Sequence, residues 1–66
     1  MARDPQYLGE VIFEFTPMGR YVKVVAVDPA SLTEVSIVGD PAVGETLLKR
    51  QARRKLEYVL AKKEKR

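Results

Sequence analysis

The sequence predicts an α+β domain, in which a three-stranded antiparallel β-meander is followed by one C-terminal α-helix packed on one face (βββα). Apolar residues alternate with polar ones up to Asp40 and recur at helical spacing after it. Formal charge divides at the same point, since residues 1–40 carry three cations against six carboxylates and residues 41–66 carry nine against three. Asp40 and Pro41 also form a helix start, with Asp40 as the N-cap.

The first two strands are predicted over residues 10–16 and 21–28, which alternate apolar and polar side chains. Between them, the turn signal Pro17-Met18-Gly19-Arg20 combines a proline that fixes φ with a glycine that permits a positive φ. Closing the hairpin at the centre of that signal sets Glu14 opposite Lys23. This cross-strand pair of opposite charges favours that register.

The third strand is predicted over residues 34–38, after a turn at residues 28–33. Pairing Val24 with Ile37 keeps the apolar residues of both strands on one face. The second strand is apolar on both faces, as expected of the central strand of three. The back face of the sheet then carries apolar residues that nothing else in the chain is left to cover: Ile12, Val25 and Val38.

The helix is predicted to run from Pro41 to about Lys62, through residues that favour helix formation. One apolar stripe at helical spacing should cover the sheet: Leu48, Ala52, Leu56, Val59 and Leu60. We expect residues 1–9 to be a flexible lead-in, residues 10–62 to form the single domain, and residues 63–66 to be a basic tail.

The composition restricts how so small a domain can be stabilised. The 66 residues include no Cys and no His, so disulfides and thiolate metal sites are excluded and the commonest general base is missing. Oligomerisation is the remaining route to further burial, so we expect a homodimer. No apolar run approaches the ~18 residues that a membrane span needs. Residues 1–5 lack the apolar region of a signal peptide, and we expect a cytoplasmic protein.

The same composition argues against an enzyme. The Ser and Thr hydroxyls have no His to activate them. Glu14 and Glu34 share an open sheet face that offers no enclosed pocket for acid–base chemistry. We therefore expect no catalytic residue, cofactor, metal site or small-molecule substrate.

Two surfaces are candidates for binding an unidentified protein partner. One is a second helical stripe, roughly opposite the first, and the other is the back of the sheet. Tyr and Arg are enriched at binding hot spots. The proposed interface residues are Leu47, Arg50, Arg54, Tyr58, Ile12 and Val25. The alternative is that these are scattered surface residues of the kind every protein exposes.

A weak, sequence-nonspecific nucleic-acid binder is the alternative function. It would use the cations of the C-terminal helix: Arg50, Arg53, Arg54, Lys62 and Lys63. Such binding needs several cations on one surface. A charged run on a helix is more often a solvated face, and attraction to an acidic protein or an anionic membrane surface is a third interpretation.

The predicted elements contain several recognisable strings: Glu10–Phe15, Val22–Val24, Ala26–Pro29, Thr33–Val35, Ile37–Gly39 and Arg54–Leu60. Together they resemble a small bacterial family known as a domain of unknown function. The likeness covers about residues 10–60 and rests on structural motifs, so it implies no catalytic residue. The family favours Thr-Gly in the second turn, where this chain has Ser31-Leu32. Because Leu tolerates a positive φ poorly, we expect a wider turn here.

The order of the elements is also similar to the back half of a double-stranded-RNA-binding domain. In that module, lysines at the start of the helix contact phosphates, whereas Leu47 and Leu48 stand in that region here. The likeness is one of architecture and implies no RNA binding.

Overall fold

The computed structural model of the chain describes residues 10–64. The expected lead-in at residues 1–9 and the end of the expected basic tail therefore lie outside the described residues. Three strands form one antiparallel sheet in the order β1-β2-β3, followed by one helix that packs against it. The elements are β1 (Ile12–Met18), β2 (Tyr21–Asp28), β3 (Thr33–Gly39) and α1 (Glu45–Glu64). The predicted βββα fold is confirmed.

The register of β1 against β2 differs from the prediction by two residues. The hairpin closes on the two-residue loop Gly19-Arg20, and Gly19 has a φ of 63°. A positive φ at the first loop position alone is typical of a type II′ turn, whose twist matches the flanking strands. Lys23 therefore lies opposite Thr16, and its predicted pairing with Glu14 is wrong. Because the shift is even, every side chain keeps its predicted face.

The register of β2 against β3 is as predicted, with Val24 opposite Ile37. The loop between these strands is not wider than the predicted register requires, so that expectation is wrong. Leu32 itself adopts the left-handed conformation, with a φ of 61°, and its N–H donates to the Asp28 carbonyl at 2.8 Å. The Leu32 side chain is 79% exposed, so it contributes little packing in return for this unfavourable backbone conformation.

A chain of side-chain hydrogen bonds joins this loop to the end of the helix. Lys63 Nζ donates to Thr33 Oγ1 at 2.9 Å, and the Thr33 and Ser31 hydroxyl oxygens are 2.8 Å apart. Ser31 Oγ lies 2.8 Å from a carboxylate oxygen of Asp28, which is buried. Each hydroxyl has one proton, so Thr33 donates to Ser31 and Ser31 donates to Asp28. The network therefore connects a cation to a buried carboxylate through two hydroxyls.

The helix begins later than predicted. Asp40 is a cap, as expected, but its carboxylate accepts the Ala42 N–H at 2.9 Å to close a single 3₁₀ turn at Pro41–Val43. Gly44 follows with a φ of 96°, which a right-handed helix cannot contain. The α-helix therefore starts at Glu45 and continues two residues past the predicted end at Lys62.

The core lies between α1 and the inner face of the sheet. Its buried apolar residues come from the central strand and from the predicted helix stripe: Val22, Val24, Ala26, Leu48, Ala52 and Leu56. The helix packs on β2 and β3. A β-carbon at Gly39 would lie 2.5 Å from Leu48 Cδ2, so any larger residue there would force the buried Leu48 side chain to move. No helix in the described part of the chain is long and apolar enough to cross a membrane.

Candidate interaction surfaces

The helix lies over β2 and β3 and covers the inner face of β1 only in part. An α-helix is about 10 Å wide and strands are ~4.8 Å apart, so one helix covers two strands of a three-stranded sheet. Here those two are β2 and β3. Val11, Phe13 and Phe15 lie on the helix side of the sheet but beside the helix, and each is only partly buried.

An open groove of about 250 Å³ separates β1 from the first half of α1. Its floor is Phe13, and its wall is formed by one hydroxyl and three cations of the helix: Thr46, Lys49, Arg50 and Arg53. Lys49 Nζ lies 5.8 Å from the centroid of the Phe13 ring, within the range of a cation–π contact. No carboxylate is among these lining residues. The groove therefore suits a ligand that presents both apolar and anionic groups.

The back face of the sheet is the second candidate surface. Ile12 lies opposite Val27, and Val25 and Val38 follow in the adjacent rows. Ile12 is 53% exposed and Val38 is 63% exposed, while Val25 and Val27 are partly buried. Charged residues of the same strands interrupt this apolar area: Glu14, Lys23 and Glu34. The structure thus brings the predicted residues Ile12 and Val25 to one open face and adds Val27.

The predicted outer stripe of the helix lies next to the groove, and Arg50 borders both. Leu47, Arg54 and Tyr58 are exposed on α1, whereas Arg50 lines the groove. The Tyr58 ring has the Lys62 ammonium 5.4 Å from its centroid, one helical turn further on. Because Lys62 already occupies one face of the Tyr58 ring, less of that ring is free to contact a partner. We therefore regard the groove as the stronger candidate for a binding surface.

The five cations of the nucleic-acid hypothesis are divided among several places. Arg50 and Arg53 line the groove, and Arg54 is exposed outside it. Lys62 lies over Tyr58, and Lys63 donates to the Thr33 hydroxyl at the start of β3. Phosphate-backbone binding depends on several cations acting on one surface. This arrangement favours a short anionic ligand at the groove over an extended phosphate backbone.

Three groove residues, Phe13, Thr46 and Lys49, are not among the residues predicted to bind a protein or nucleic acid. Alternation along β1 is typical of a Phe13 side chain that packs in the core, and Lys49 is one of many cations on a charged helix. The width of a helix relative to three strands could have identified one partly uncovered strand, but not which one. Within residues 10–64, no group of three or more metal-binding side chains is placed to hold an ion.

Comparison with known proteins identifies a family. The family model described as Domain of unknown function (DUF6898) matches residues 8–63. Neither the curated proteins nor the solved structures contain a match to the chain. The matched range includes all three strands, the groove and nearly the whole helix.

Proposed function

The chain belongs to this family, DUF6898, a domain of unknown function, and we propose that it is a non-enzymatic protein-interaction module of the cytoplasm. Its partner contributes a segment that carries both acidic and apolar side chains. The observation that supports this proposal is the groove, where a partly exposed Phe13 lies beneath Lys49, and Arg50 and Arg53 line the same space. Aromatic residues and Arg are the types enriched in the centres of protein interfaces.

The size of the groove favours a protein segment over a small molecule. Pockets for small molecules typically enclose roughly 300–1,000 Å³. This groove is smaller, at about 250 Å³, and it is open on one side. It can accept one or two side chains of a larger partner, while the backbone of that partner stays outside.

The two kinds of lining residue contribute differently to binding. Exposed ion pairs contribute only ~0.2–1 kcal/mol each, so the cations mainly select acidic partners and raise the association rate. Burial of the Phe13 ring and its apolar neighbours on β1 supplies the larger part of the affinity. A contact area this small is typical of weak, transient complexes.

Affinity purification with two matched variants tests this function. Arg53→Glu reverses a charge in the groove, and Arg54→Glu makes the same change at the next position, outside it. Tagged wild type and both variants are used to capture partners from a nuclease-treated lysate of the native host. We expect wild type and Arg54→Glu to retain the same protein and Arg53→Glu to lose it. Equal capture by both variants contradicts the proposal, and loss of all partners on nuclease treatment favours nucleic-acid binding.

Self-association is a second candidate, and a separate observation favours it. No element within residues 10–64 covers the back face, which carries Ile12, Val25, Val27 and Val38, and stacking two such faces would bury them. A domain this small gains proportionally more from such burial than a large one. Sedimentation equilibrium should then give a dimer for the wild type and for Arg53→Glu, and a monomer for Val25→Lys. A wild-type monomer at every concentration contradicts this candidate.

A further inference from the structure

We propose that the acidic segment binds as a fourth strand of the sheet, in an extended conformation along the outer edge of β1. This mode of binding rests on the proposed function and specifies how the groove is used. Four features of the described residues support it. They are the direction of the β1 backbone groups, the state of the opposite sheet edge, the position of the cations, and the charge that a second copy would bring.

The first feature is the set of backbone groups that β1 directs away from β2. In a hairpin closed by a two-residue loop, the pair that flanks the loop is hydrogen-bonded, and the pairs then alternate. Met18 and Tyr21 flank this loop. The alternation makes the Phe13 and Phe15 pairs non-hydrogen-bonded, so their N–H and C=O groups point outward from the sheet. Pro17 occupies the next outward position, where its missing N–H removes no bond to β2.

The opposite edge of the sheet is already engaged by the helix. The same alternation directs the backbone groups of Ser36 outward from β3, and Lys55 Nζ donates to the Ser36 carbonyl at 2.9 Å. This bond confirms the direction of alternation independently of the hairpin argument. It also blocks an incoming strand at the middle of β3. Among the described residues, no such contact reaches the outward groups of Phe13 and Phe15.

The third feature is the position of the groove cations relative to that edge. A strand added to β1 would lie ~4.8 Å beyond it, with alternate side chains directed to the helix side of the sheet. Those side chains would pack against Phe13 and Phe15 as cross-strand neighbours. They would also lie next to Lys49, Arg50 and Arg53. Acidic and apolar residues that follow one another at every second position of the partner, and so share its helix-facing side, therefore match what this side of the sheet presents.

The charges also exclude a second copy of the chain as the strand donor. Two β1 strands paired about a two-fold axis would place both helices on the same side of one continuous sheet. The lysine and two arginines of each groove would then face those of the other across a shared trough. Like charges placed this close oppose association. An acidic segment removes that repulsion, so the proposal requires a partner of opposite charge.

Synthetic peptides with selective N-methylation test the mode of binding. The probe is a fluorescent Glu-Val peptide of about eight residues, a length typical of one strand. Glu and Val take turns at its odd positions, so that one face carries both, and Thr fills the even positions. Two further peptides carry N-methyl groups at the odd or the even positions. An added strand offers only every second N–H to its neighbour. We expect the affinity of one methylated peptide to fall about tenfold or more and the other methylated peptide to bind like the unmethylated one.

The outcomes separate this inference from the proposed function. Two results together support both the proposed function and strand addition. Arg53→Glu weakens binding whereas Arg54→Glu does not, and only one of the two methylated peptides loses binding. Equal binding of the two methylated series, with the dependence on Arg53 intact, overturns strand addition and leaves the groove as the binding site. Absence of binding at millimolar peptide, or equal weakening by both variants, overturns both. A Lys-Val peptide that binds as well as the Glu-Val peptide also overturns both.

Discussion

Replacing Leu32 by Gly should stabilise the domain, although Leu is the larger apolar residue. Leu32 has a φ of 61°, and a non-glycine residue in the left-handed region costs about 1–2 kcal/mol. Its side chain is 79% exposed, so truncation removes little apolar burial. Glycine adds flexibility to the unfolded chain, which offsets about 0.4–1 kcal/mol of the gain. The net expected increase in the free energy of unfolding is about 0.5–1 kcal/mol.

Thermal and urea denaturation measure this change. A domain of this size should show a rise in Tm of roughly 3–6 °C, with an unchanged urea m-value. Leu32→Ala is the matched control, because it removes the same side chain but keeps a β-carbon at a positive φ. We expect Leu32→Ala to be no more stable than the wild type, and Leu32→Asn to lie between Ala and Gly. If Gly and Ala variants shift the Tm equally, backbone conformation is not the cause and the reasoning fails.

Three further predictions concern packing and the loop network. Gly39→Ala should destabilise the domain by about 1–3 kcal/mol, because its β-carbon would overlap the Leu48 side chain. In a double-mutant cycle, the same substitution should be nearly neutral when Leu48→Ala is already present. Leu56→Ala should cost about 2–5 kcal/mol in urea denaturation, since this side chain is fully buried; a smaller loss would place it outside the core. Asp28→Ala should cost about 1.5–3 kcal/mol by removing the charged acceptor of Ser31, and a loss no larger than that of Ser31→Ala would show that the carboxylate is not needed.

The sequence patterns predicted the element order and the faces because both follow from local periodicity. Alternation placed Val24 and Ile37 on one face of the sheet, and helical spacing placed Leu48 and Leu56 in the stripe that covers it. A register error of two residues leaves these assignments unchanged. The exact register depended on whether the two-residue loop is Met18-Gly19, as predicted, or Gly19-Arg20, as observed. The turn sequence alone allows both placements.

The groove could not be predicted because it depends on where the helix lies across the sheet. Periodicity shows which side of α1 is apolar, but not which two strands it covers. The long-range polar contacts could not be predicted from the sequence either. Lys55 to Ser36 and Lys63 to Thr33 join residues 19 and 30 positions apart, and nothing local marks them.

Amide hydrogen exchange at Phe13 and Phe15 tests the central claim most directly. In the free protein, these two amides point outward and should exchange rapidly, while the neighbouring amide of Glu14 bonds to β2 and should be protected. Addition of the Glu-Val peptide should protect both phenylalanine amides and leave Glu14 unchanged. Protection of Phe13 and Phe15 before any peptide is added, or rapid exchange of both when the peptide is bound, would contradict strand addition to β1.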